Sequence, residues 1–213
     1  MRNSRYISSL FAAAAVLVAG PGAALALTLP GFEHAIPVEP QKLELGAAVA
    51  GGDSLVDGMA FARMGLVDDL DMALRLGLFS GLNGGSKGEA GFEVEGSPRF
   101  RFVRTEDTGF VDAAVVGNVS IAKSSHLFVL SVDPLFVASH HFEIDAHRQL
   151  YVSLGLGVAV AYLDVDGRGS DLQSGFVGAF GAGVDIIQNV RLSLEARLRD
   201  EIQRYGLAVS YFF

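Results

Sequence analysis

Along most of this chain, bulky aliphatic side chains fall on every second residue, and the residues between them are small or charged. Leu70, Met72, Leu74, Leu76 and Leu78 alternate with Asp71, Ala73, Arg75, Gly77 and Phe79. Val190, Leu192, Leu194, Ala196 and Leu198 alternate in the same way with Arg191, Ser193, Glu195, Arg197 and Arg199. A period of two marks a β-strand with two unlike faces, since successive side chains of a strand point to opposite sides; a helix would repeat its apolar residues every 3.6 positions. A soluble sandwich or lipocalin-like barrel fills its core with large residues and turns its charges to water. Here the charges share a face with Gly and Ala, too little volume for a soluble core. Between Gln149 and Leu163, Leu150, Val152, Leu154, Leu156, Val158, Val160 and Tyr162 oppose Ser153, Gly155, Gly157, Ala159 and Ala161. The pattern predicts an all-β, antiparallel, up-and-down transmembrane barrel with aliphatics toward lipid and a narrow lumen.

The front of the chain fits export. Arg2 and Arg5 precede an apolar run from Ile7 to Ala19, then Gly20-Pro21-Gly22 and the small-residue pattern Ala24-Leu25-Ala26. This reads as a signal peptide over 1–26, cleaved after Ala26; the Gly-Pro-Gly break argues against a retained transmembrane helix. No Cys follows it, which argues against a lipid anchor. Losing Arg2 and Arg5 with a leader that holds no acid takes the net charge from −8 to −10, a balance that disfavours nucleic acid as a partner. The complete lack of Cys removes disulfides, thiol catalysis and thiolate metal sites together. Residues 27–41 contain Pro30, Pro37 and Pro40, which cannot donate ladder hydrogen bonds. They are expected to form an extended periplasmic tail, with the option of tucking into the barrel mouth, ahead of a barrel over 42–213.

Alternating short inner turns and longer outer loops place ten strands near 42–51, 58–66, 70–79, 96–104, 110–119, 127–137, 149–163, 174–187, 190–199 and 204–213. Region 120–148 fits least well, because a long inner connection follows a strand interrupted by Pro134. Eight or twelve strands stay open there.

The chain ends Tyr205-Gly-Leu-Ala-Val-Ser-Tyr-Phe-Phe213, which sets Tyr205, Leu207, Val209, Tyr211 and Phe213 on one strand face. That ending resembles the C-terminal assembly signal of bacterial outer-membrane β-barrels, and with the strand alternation it makes residues 42–213 resemble the small members of that group. The resemblance implies an outer-membrane location, lipid as surroundings and recognition of the last strand by the barrel-assembly machinery.

The expected lumen face carries Arg63, Arg75, Arg99, Arg101, Arg191, Arg197, Arg199 and Arg204 with Glu44, Asp71, Asp112, Asp185 and Glu195. Its core set is Arg63, Arg75, Arg99, Arg101, Asp71, Asp112, Arg191, Glu195 and Arg197. Buried charges need partners, so the first reading is a structural ion-pair network. The runner-up is an anion-preferring lining, because Arg outnumbers acid in this set. Asp164 to Asp171 alternates hard oxygen ligands, but Arg168 and Gly175 stand where a calcium loop needs an acid or amide and a bidentate Glu. Ser139, His140, His141, Glu143, Asp145 and His147 cluster on one expected periplasmic connection, whereas catalytic groups converge from several strands. Neither stretch predicts a metal or catalytic site, and no cofactor is called for. The expected role is a closed-lumen barrel with a structural or surface-interaction function. A narrow solute channel is second and an outer-membrane enzyme third.

Overall fold

The computed structural model describes residues 31–52, 55–81, 90–145, 148–165, 169–199 and 202–213. The expected leader, 1–26, lies outside them. Ten strands follow in chain order: β1 Leu43–Gly52, β2 Leu55–Val67, β3 Leu70–Gly81, β4 Ala90–Val103, β5 Asp112–Ser124, β6 Leu127–Asp145, β7 Arg148–Val165, β8 Gly169–Ile187, β9 Val190–Arg199 and β10 Ile202–Phe212, with one short helix, α1 Thr105–Thr108, between β4 and β5. Each strand pairs antiparallel with its sequence neighbours, and β1 pairs with β10 from Glu44 opposite Phe212 to Gly52 opposite Arg204, so the barrel is closed. The strand number is ten, as the alternation of turns and loops predicts, and not eight or twelve. The seam is continued by the Phe213 N–H, which donates to the Leu43 carbonyl at 2.8 Å.

The alternation decides which face each side chain takes. Leu78 is 71% exposed and Phe176 77%, while Ala73, Ala114, Ala159 and Arg75 in the lumen are at most 1% exposed. Such an apolar outer band would be an aggregation liability in water, whereas in a bilayer it is the face that lipid solvates. Closure also pairs the backbone donors and acceptors that hydrocarbon cannot satisfy. Among the described residues no helix is long and apolar enough to cross a membrane. This is the architecture of a small outer-membrane β-barrel.

Both chain ends of the strand set, Leu43 and Phe212, lie at one end of the barrel, the inner end, with the tight turns 68–69 and 188–189. Asn189 supplies the left-handed φ of 70° that the second turn needs, a conformation Asn tolerates better than most residues.

The long inner connection expected in 120–148 does not exist. β5 runs on to Ser124 and β6 continues past Pro134 to Asp145. Pro134 stands opposite Gly117 of β5, and it is accommodated where the β6–β7 pairing passes from Val132 to Leu135, so that its missing N–H is not needed by the ladder. A Cβ on Gly157 would stand 2.1 Å from the Pro134 carbonyl oxygen, so β7 needs a glycine there. Ser139 to Asp145 therefore belongs to a strand and not to a connection. The Asp164–Asp171 stretch is likewise mostly ladder, with Asp164 opposite Ser170 and Leu163 opposite Asp171; residues 166–168 lie outside the described set.

Candidate functional site

The lumen is occupied by the chain's own N-terminal segment. It turns in at the inner rim, where Gln41 takes a φ of 65° and donates its N–H to the Gly65 carbonyl at 3.2 Å. A Cβ at Gly65 would stand 2.1 Å from the Glu39 carbonyl oxygen, so only glycine lets the segment cross the rim so closely. From there residues 38 to 31 run inward, and strand side chains take up their main-chain groups. Val38 N–H donates to Asp71 Oδ2 at 2.9 Å, Ala35 N–H to Ser139 Oγ at 2.6 Å, and Glu33 and Gly31 N–H to the two oxygens of Glu195 at 2.9 Å each. In the other direction, Arg99 Nη1 donates to the carbonyls of Ile36 (2.9 Å) and His34 (2.6 Å), Ser153 Oγ to that of Glu33 (2.8 Å), and Arg75 Nη2 to that of Gly31 (2.8 Å). Phe32 packs with Ala48, Ala50, Met59, Phe61 and Ala208, while Ala35 joins a cluster with Val116, Leu135, Val137 and Val177.

Glu33 is the centre of the charge system. Its Oε1 lies 2.5 Å from Arg75 Nη2, and its Oε2 lies 3.3 Å from Arg99 Nη2 and 3.6 Å from Arg63 Nη2. Each of those arginines also has a strand carboxylate: Arg63 has Glu44 at 3.3 Å, Arg99 has Asp71 at 3.6 Å, and Arg75 has Glu95. All these groups are at most 4% exposed as side chains. At the inner rim a second, wetter group forms. Arg101 meets Asp69 at 3.0 Å and Asp112 at 3.2 Å, and Arg104 meets Asp69 at 2.5 Å. The Arg104 hydrogen bond holds the Asp69 carboxyl below the usual carboxylate range against the opposing effect of burial, and Arg101 adds to the lowering. Arg191 meets Asp185 at 2.8 Å and lies over the rings of Tyr151 and Phe212, 4.8 and 4.7 Å from their centroids.

The charged residues assigned to the lumen from the sequence all face the lumen or its inner rim. Glu195 serves the N-terminal backbone, and the arginines at the centre converge on Glu33, an acid from outside the strand set. The sequence reading also passed over Asp57, Glu93, Glu95 and Asp133, which are all buried in the lumen. Among the described residues, nine carboxylates and six guanidiniums are buried, which reverses the arginine excess of the smaller set. The five residues proposed as the assembly signal, Tyr205, Leu207, Val209, Tyr211 and Phe213, share the outer face of β10 and its end.

The polar cluster on β6 is split by the pleat. Ser139 faces the lumen, His140 stacks on Phe110, and His141 Nδ1 lies 3.7 Å from Asp112. His147 is outside the described residues. Toward the outer end Phe79, Leu127, Val129 and Leu163 pack together in the lumen, with Leu55 and Val165 against them. At the inner end lies a vestibule of about 770 Å³ bordered by His34, Pro37, His141, Asp185, Arg191 and Phe212. Besides the Glu33 centre, buried ion pairs Arg199–Asp133 and Arg204–Asp57 also stand in the lumen.

No protein-family model matches the sequence, and no curated protein matches it. Among solved structures, the chain is similar to the COG4313 outer membrane channel from Pseudomonas putida F1, at 11% identity and a TM-score of 0.48, over 87% of this chain and 100% of that one. It is similar to a bacterial polysaccharide outer membrane secretin at 15% identity and a TM-score of 0.42, over 75% of this chain, and spans 57% of that one's length. A KdgM porin follows at 9% identity and a TM-score of 0.38, over 79% and 98% of the two chains. At such values the reading of this protein rests on its own geometry.

Proposed function

We propose that this protein is a non-conducting outer-membrane barrel with a structural or surface-interaction role, exported by a leader over 1–26 and assembled through its last strand. The single observation that supports a closed lumen is Glu33, carried into the middle of the barrel and held there by Arg75, Arg99 and Arg63. The inner face of a ten-stranded barrel is narrow enough for side chains and one segment of chain to fill it. The apolar cluster around Phe79 and Leu127 adds a second constriction, and hydrophobic constrictions resist wetting and ion entry. In this reading the protein performs no chemistry, needs no cofactor, and has lipid and the barrel-assembly machinery as its partners.

The balance of buried charge bears on which ions a conducting lumen would pass. With nine buried carboxylates against six guanidiniums, a lumen that did conduct would favour cations rather than anions. Planar-bilayer recording on the purified wild-type barrel checks both points. The expected result is little or no conductance in symmetric salt. Reproducible conductance would reject the closed lumen, and anion preference in it would restore the anion-channel reading.

A further inference from the structure

We infer that the lumen is a recognition site for an acidic peptide, and that residues 31–38 occupy it in cis as a resident ligand. The inference rests on the closed-lumen reading and goes beyond it by naming what the lumen binds. The contacts carry it. Glu195, Ser139, Asp71, Ser153, Arg99 and Arg75, drawn from β3, β4, β6, β7 and β9, spend their polar atoms on main-chain groups of the segment. The N–H groups they bind belong to residues 31, 33, 35 and 38, and Phe32 takes a φ of 47° between the two that share the Glu195 carboxylate. A lumen that needed only filling would achieve it with large apolar side chains, and most of these groups are buried deeply enough that losing the segment would leave them unsatisfied.

Main-chain recognition of this kind tolerates many sequences. Side-chain selection falls on two positions. The one at Glu33 requires a carboxylate, because three guanidiniums converge there within 3.6 Å. The one at Ala35, fully buried against Ala114 and Val116, admits only a small residue. The route in is the inner vestibule, whose volume of about 770 Å³ lies within the range of small-ligand sites. A peptide arriving there meets Arg191 and the rings of Tyr151 and Phe212 before the arginine centre.

The test uses the full chain with the resident ligand weakened. Glu33→Lys sets an ammonium among three guanidiniums and displaces the segment; Glu33→Gln is the milder variant should the first fail to fold, and both are judged folded by heat-modifiable gel mobility. The probe is a fluorescent synthetic peptide of residues 31–41. Expected is saturable binding to the Glu33→Lys barrel, or to Glu33→Gln in its place, at least 10-fold tighter than to wild type, whose lumen is already filled. A probe peptide with Gln at the Glu33 position is expected to bind at least 10-fold more weakly than the Glu peptide. A folded variant that binds no peptide, equal binding to variant and wild type, or indifference to the Glu-to-Gln change overturns the inference. Conductance of the wild-type barrel tests the closed lumen separately, so the two failures are told apart.

Discussion

Replacing Glu33 by alanine is expected to lower the stability of the folded barrel by about 3 kcal/mol. Breaking a buried ion pair from one side costs roughly 3–5 kcal/mol, because the remaining charge stays buried without its partner. The lower end applies here, since Arg63, Arg75 and Arg99 keep Glu44, Glu95 and Asp71 as second partners. The main-chain bonds from residues 31 to 38 do not involve the Glu33 side chain and remain available. Glu39→Ala is the control: Glu39 meets Lys42 at 2.7 Å with both side chains at least half exposed, and such pairs contribute about 0–1 kcal/mol. The protein has no Trp, so denaturant unfolding is best followed by far-UV circular dichroism in detergent. Equal midpoints for the two variants would show that Glu33 is not a buried centre.

Phe213→Asp is expected to reduce insertion yield at least 10-fold in a purified assembly assay while leaving the stability of whatever inserts nearly unchanged. The reasoning is a comparison of sizes. Phe213 lies one residue beyond β10, at the membrane edge, and a charge near the interface costs a barrel only about 0–1 kcal/mol. Its N–H bond to Leu43, which continues the seam, does not use the side chain. A large loss of yield would therefore come from recognition of the terminal strand and not from the lipid face. Insertion at wild-type yield would remove Phe213 from the proposed signal.

What could be read from the sequence follows from where periodicity survives. In β3 and β9 one face meets lipid and the other a packed lumen, so the alternation is complete and Asp71, Arg75, Arg191, Glu195 and Arg197 could be placed on the inner face from spacing alone. At the inner rim both faces approach water, the contrast fades, and His140 to Asp145 of β6 looked like a connection. Glu93 and Glu95 do alternate with Phe92 and Val94. The Gly- and Ser-bearing stretch before them drew them into the expected loop. Glu33 carried no local signal at all, because its segment is too rich in proline for a strand repeat and its partners lie far away in sequence, the Glu33–Glu195 bond spanning 162 positions. Long-range contacts of that kind are set by barrel closure and leave no trace in local spacing.

The segment's position can be measured directly, because the wild-type chain has no cysteine to interfere. Ala35 N–H lies 2.6 Å from Ser139 Oγ, a contact that puts residues 35 and 139 side by side, so that a cysteine at each can report on it by cross-linking. In the folded Ala35→Cys, Ser139→Cys barrel, the expected result is near-complete disulfide formation under mild oxidation and no labelling by a membrane-impermeant maleimide before reduction. Two free thiols that both label readily in the folded barrel, with no cross-link, would contradict a lumen closed by the chain's own N-terminal segment.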